Sequence, residues 1–335
     1  SDVCSSDLNN GDNMKQLKTL VALIAGLFAF TSVQAGELSV TGSMQATYQS
    51  EVDAVTGNPL GMNTDLTFSG STDTDFGEAT WTMATDGTFL SESGADHSFK
   101  IATSLGTIGI GNAGDAANAV DDITPTAFEE ANGSGSGTYA TDFGSGMDGS
   151  MSLTYANGDL MGTGVSVAYS YYPKLDGATN NEKGASTTTS NSANSAQSIN
   201  VGLPLASLPV IGDTVIGGAK ITLGYEESDN LTAANQDKEG GTVAVNLPVG
   251  PLSIGYQKKA YAAQQTTNVD TFFKDDIYGV AYAISDALAI SWNVIESTQH
   301  AQSGTNVEQE TKALNLAYTV GGLTLGFQDA KTSNA

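Results

Sequence analysis

Residues 37–49 read ELSVTGSMQATYQ. In an extended chain Leu38, Val40, Met44, Ala46 and Tyr48 fall on one side, and Ser39, Thr41, Ser43, Gln45, Thr47 and Gln49 on the other. A period of two marks a strand with one apolar and one polar face. The pattern recurs to the end of the chain. It predicts strands near 62–71, 77–85, 96–103, 106–111, 149–156, 163–173, 197–206, 219–228, 241–248, 251–260, 276–284, 287–297, 310–320 and 322–330. With the first, that makes fifteen, most of them near the length a tilted membrane strand needs.

Connections after the odd-numbered strands are long and polar: 50–61, 86–95, 112–148, 174–196, 229–240, 261–275 and 298–309. Those after even-numbered strands are mostly tight, such as Val249-Gly250, Ser285-Asp286 and Gly321-Gly322, with 207–218 the exception. Long loops on one side and short turns on the other point to an outer-membrane β-barrel. Tyrosines predicted to face outward form two groups. Tyr48, Tyr171, Tyr225, Tyr256 and Tyr278 lie toward the long loops, and Tyr155, Tyr282 and Tyr318 toward the short turns, as interfacial belts would require.

What precedes the first strand fits export. Met14, Lys15 and Lys18 lead into an apolar stretch from Leu20 to Phe30 and a small-residue ending Val33-Gln34-Ala35, the order of a secretory signal peptide over 14–35. Its apolar stretch is too short for a membrane-spanning helix. Residues 1–13, which hold the single cysteine Cys4, have no place in such a signal and read as non-native upstream or adapter-like sequence. The expected barrel therefore spans 36–335 and contains no cysteine for a disulfide.

All twelve basic residues are lysine, against 37 Asp and Glu, for a formal net charge of −25. An acidic chain without arginine excludes nucleic acid as a partner class. A hydrophobic content of 39% suits a transmembrane barrel, in which only alternate residues meet lipid.

Two polar clusters complete the inventory. His97 and His300 are the only histidines, and His97 and Ser98 fall on opposite faces of one strand, so no catalytic triad is expected and no enzymatic activity. Thr72-Asp73-Thr74-Asp75 and Glu226-Glu227-Ser228-Asp229 gather hard oxygen donors that would suit Ca2+, although neither has EF-hand spacing. Solvated charge is the plainer reading, and no cofactor is expected.

Three segments carry a family resemblance: GELSVTGS at 36–43, GTIGIGNAGDA at 106–116 and VDDITPTAFEEA at 120–131. Through them the chain resembles the general porins of Gram-negative bacteria, above all the alphaproteobacterial type of marine bacteria such as the SAR11 group. The resemblance implies a sixteen-stranded barrel in the outer membrane, a homotrimer with one pore per protomer, and passive diffusion of small hydrophilic solutes and ions. Since fifteen strands are counted, a sixteenth is expected beyond Lys331–Ala335, leaving the Leu38–Tyr48 ladder open on one edge. A surface-exposed β-rich adhesin or structural protein without a conducting pore is the alternative.

In porins the connection after the fifth strand folds inward and narrows the pore, with acids facing basic residues on the opposite wall. Carried over by position to 112–148, this makes Asp115, Asp121, Asp122, Glu129 and Glu130 candidates for the acidic side. Gly114 and Pro125 would shape turns, and Ile123 and Phe128 would anchor the loop to the wall. Parity puts Lys100 and Lys220 on the lumen side, a weaker basic element than the arginine cluster usual in the family. Lys258 and Lys312 share parity with lipid-facing residues. With acids outweighing these lysines, cation preference is expected.

Overall fold

The computed structural model describes residues 37–50, 58–86, 96–112, 115–131, 143, 147, 150–175, 195–209, 211–212, 214–229, 237–262, 271–301 and 306–334. The expected leader and upstream segment, with Gly114, lie outside these residues.

Fifteen antiparallel strands form one sheet in strict chain order. They are β1 (Glu37–Tyr48), β2 (Leu60–Thr74), β3 (Gly77–Asp86), β4 (Asp96–Thr103), β5 (Gly106–Gly111), β6 (Ser152–Asn157), β7 (Ser166–Tyr172) and β8 (Ala196–Pro204). β9 (Lys220–Ser228), β10 (Lys238–Val249), β11 (Leu252–Ala262), β12 (Thr271–Ser285), β13 (Leu288–Ala301), β14 (Val307–Val320) and β15 (Leu323–Asn334) follow. Each strand pairs with its sequence neighbours, and no strand among the described residues pairs with the outer edge of β1 or of β15.

The period of two becomes two chemically distinct faces. On β14, Gln309, Thr311, Ala313 and Asn315 are buried inward and alternate with Lys312, Leu314 and Leu316 outward. Outward residues of neighbouring strands stack as cross-strand pairs, for example Ile254 with Val280 and Val280 with Trp292. Trp292, Val280, Ile254 and Leu314 are each more than 40% exposed, a continuous apolar exterior that water would not tolerate and lipid would.

Two of the tight turns share one chemistry. In Thr74–Gly77 and Thr103–Gly106 the threonine hydroxyl accepts an N–H two residues on and donates to the glycine carbonyl at 2.7 Å. The closing Gly77 and Gly106 have φ of 134° and 125°, which a side chain would strain. The long 207–218 connection is ordered by short 3-10 turns at Leu205–Ser207 and Val215–Gly218.

All fifteen expected strands are present, but several reach further into the long connections than the apolar pattern indicates. β12 begins at Thr271 rather than 276, β13 runs to Ala301, and β14 begins at Val307. β15 likewise continues through Lys331 to Asn334, where the polar composition reads as the start of a loop. At these ends the apolar residues no longer keep to one parity, as with the adjacent Phe272 and Phe273 of β12, or are sparse, as in Lys331–Asn334 of β15, so the alternation that marks a strand disappears while the backbone ladder continues.

Candidate functional site

The ladder of β5 stops at Asn112, whose side-chain oxygen accepts the His97 N–H at 2.6 Å. The chain then turns inward. Asp115 Oδ1 accepts the N–H groups of Ala117 at 2.6 Å and Asn118 at 2.8 Å, starting a 3-10 turn over Asn118–Val120. This local capping is what an aspartate at the head of a turn does.

From there residues 116–130 cross the inner face from β7 to β15, held by one polar side chain after another. Ser170 of β7 accepts the Ala116 N–H at 3.1 Å, and Asn200 of β8 donates to the Ala116 carbonyl at 2.6 Å. Asn246 of β10 donates to the Ile123 carbonyl at 2.6 Å. Gln257 of β11, fully buried, accepts the Ile123 N–H at 3.0 Å and donates to the carbonyls of Val120 at 2.9 Å and Asp121 at 2.5 Å. On β13, Asn293 donates to the Pro125 carbonyl at 3.0 Å and Ser291 accepts the Ala127 N–H at 2.9 Å. Gln328 of β15 donates to the Glu130 carbonyl at 2.7 Å. Carboxamides supply donor and acceptor together, so they can satisfy a backbone that has left the sheet.

Glycines on the strands let that backbone come close. A Cβ on Gly255 would lie 2.2 Å from Pro125 Cδ, and one on Gly326 would lie 2.2 Å from the Phe128 ring. A Cβ on Gly279 would meet the Pro125 carbonyl at 2.7 Å, and one on Gly224 would meet Val120 at 2.7 Å. Ala117, Val120 and Phe143 form a small apolar cluster joined by Ile123. Ile123 and Phe128 therefore pack where the sequence suggests, Phe128 against the glycine of β15.

The acids are distributed unequally. Asp115 is 7% exposed, and besides its turn it accepts the Ser198 hydroxyl at 3.3 Å; it serves the loop's own geometry. Burial holds its carboxyl above the usual carboxylate range, against the opposing pull of the Asn118 and Ala117 N–H groups. Asp121 and Asp122 bind Lys259 of β11 at 3.0 and 3.1 Å, and Asp275 of β12 lies 3.9 Å from the same ammonium. Burial pushes Asp121 up to about 7, Lys259 opposing and Asp122 reinforcing the shift. Glu130 is also raised by burial. Glu129 and Glu130 sit at the far end of the crossing, near β15.

Of the expected basic residues, Lys100 and Lys220 are exposed and make no ion pair among the described residues. Lys100 lies in the ladder row of Gly109, Thr154, Ser170 and Ser198, level with the loop's first turn. With Ser98, Thr107, Ser152 and Asp115 it lines a cavity of about 500 Å³. Lys220 opens β9 beside the short turns, away from the crossing. Lys258 and Lys312 point outward, pairing with Asp276 at 2.7 Å and Glu310 at 2.6 Å.

Sequence reasoning missed four inward charges: Lys238 with Glu226 at 3.2 Å, and Lys259 with Asp275. Lys259 was accessible, because it shares parity with Gln257 on a recognised strand. Lys238 and Asp275 fell in segments read as loop. The Glu226–Asp229 cluster divides between faces: Glu226 turns inward to Lys238, whereas Glu227 meets the Tyr225 hydroxyl and Gln197 outside. Tyr172 is 1% exposed and packs with Met147 and Ala196, so it fills space.

No family model and no curated protein matches the chain. Solved structures do. A porin refined at 1.8 Å resolution is similar over 88% of this chain and 94% of its own, with TM-score 0.58 and 17% identity. Vibrio cholerae OmpT, an outer membrane protein in its trimer form, covers 90% of each chain with TM-score 0.60 and 12% identity. An anion-selective porin from Comamonas acidovorans covers 89% of this chain and 90% of its own, with TM-score 0.56 and 12% identity. The fold is that of Gram-negative porins, all-β and suited to the outer membrane.

Proposed function

We propose that the chain forms a water-filled channel in the outer membrane through which small hydrophilic solutes and ions diffuse, with a preference for cations. One observation carries this reading: the segment from Asp115 to Glu130 is fixed across the inner face, bearing five carboxylates, while the outer face carries a band of exposed apolar side chains. A narrowed, acid-lined passage inside a lipid-facing wall has transport as its physical use, and the field of those carboxylates favours cations. Similarity to an anion-selective porin sets no sign of its own, because on a shared fold the charges at the narrowing decide.

The reading includes export through the signal-like residues 14–35 and assembly as a homotrimer; OmpT of Vibrio cholerae in its trimer form supports the second point. A kinship with the alphaproteobacterial porins is part of the same reading, supported by the resemblance of the motifs at 36–43, 106–116 and 120–131. Purified protein in a planar lipid bilayer tests it. Discrete conductance steps are expected, with a reversal potential of cation-selective sign under a salt gradient. Absence of steps, or anion selectivity, would count against it.

A further inference from the structure

Lys259 and Lys258 are neighbours with opposite duties. Lys258 turns outward to Asp276, while Lys259, its side chain 2% exposed, turns inward beneath the crossing loop. There it meets Asp121 and Asp122 from the loop and Asp275 from the next strand, at 3.0, 3.1 and 3.9 Å. The loop is thus fastened to the wall behind it at the point where two of its acids are adjacent in sequence. Gln257, one inward position away, binds the backbone of Val120, Asp121 and Ile123.

Three carboxylates converge on a single ammonium, so the group keeps a net negative charge. The same ammonium cancels part of what a permeating ion would otherwise feel. Lys238 pairs with Glu226 on the inner face and also acts on Asp115, and Lys100 makes no ion pair among the described residues. Lys259 meets its three carboxylates at the crossing itself, two of them on the loop.

We infer that Lys259 is a selectivity-determining residue, the countercharge that sets how strongly the crossing loop favours cations. The inference rests on the channel reading above. Its signature is an order of charge states rather than a single loss. Lys259→Met leaves three carboxylates without the lysine, the unaltered protein leaves them partly compensated, Lys259→Met/Asp121→Asn/Asp122→Asn leaves Asp275 as the one acid of the three, and Asp121→Asn/Asp122→Asn leaves that acid with the lysine.

Cation-to-anion permeability ratios come from reversal potentials under a salt gradient, measured at about pH 9, above the Asp121 value of about 7. The ratio should fall in the order just given, by about twofold or more between its ends, and Lys259→Arg should match the unaltered protein. A lysine that merely fastens the loop would lower thermal stability or raise current noise without producing this order. If Lys259→Met does not fold, the other three proteins still test the order, since each leaves less uncompensated charge buried. Equal reversal potentials in those three would overturn the inference. No conductance from the unaltered protein would instead remove the channel reading on which it stands.

Discussion

Asp121 shows how one residue can combine position and titration. Its backbone carbonyl is held by Gln257 and its carboxylate by Lys259, yet burial makes its charge costly enough to push it up to about 7. The carboxyl is neutral below that value and charged above it. Cation preference should therefore weaken as pH falls through about 7, with Lys259, Asp122, Asp275, Glu129 and Glu130 the other charged groups at the crossing. A pH series of reversal potentials checks this, and Asp121→Asn should remove the step near 7; a step unchanged in the variant would contradict it. At this scale sequence reading found the loop acids but could not rank them. Asp115 and Asp121 look alike in sequence, and only the partners across the inner face separate a turn-capping carboxylate from one tied to a lysine.

Apart from the 3-10 turn at Asn118–Val120 the crossing segment has no regular secondary structure, and its stability is borrowed from the sheet. Replacing Gln257 with Ala would leave the Ile123 N–H and the Val120 and Asp121 carbonyls without that partner in a buried place. The cost should be about 1–3 kcal/mol, read as a lower unfolding temperature or denaturant midpoint in detergent. Gly326→Val tests the close approach from the other side. The new side chain would occupy the space of the Phe128 ring, so the loop must move into the passage and single-channel conductance should fall. Unchanged conductance would mean the loop can shift elsewhere. The strands were legible because alternation survives wherever one face meets lipid. Their ends, including Thr271–Asp275 and Lys331–Asn334, were not: Phe272 and Phe273 are adjacent and break the period in the first, and the second carries no apolar residue to mark a face. The row of Asn and Gln that holds the loop was hidden for a related reason: inward polar residues look the same whether they touch water or a backbone.

For the molecule as a whole, the division between a lipid-facing exterior and a polar interior governs tolerance to charge. Val280 is outward between Ile254 and Trp292, while Ala281 beside it points inward. Val280→Lys should destabilise the barrel in lipid vesicles by about 2–4 kcal/mol, as a cation in the hydrocarbon layer does, in a urea folding titration. Ala281→Lys should cost less and act on conduction instead. Equal costs would contradict the assignment of faces. The transport reading itself is decided by solute flux: proteoliposomes containing the protein, diluted into iso-osmotic sugars of increasing size. Swelling should be rapid for the smallest sugars and fall steeply with size, as diffusion through a passage narrowed by residues 115–131 requires. Swelling no faster than in protein-free vesicles, for every sugar, would contradict it.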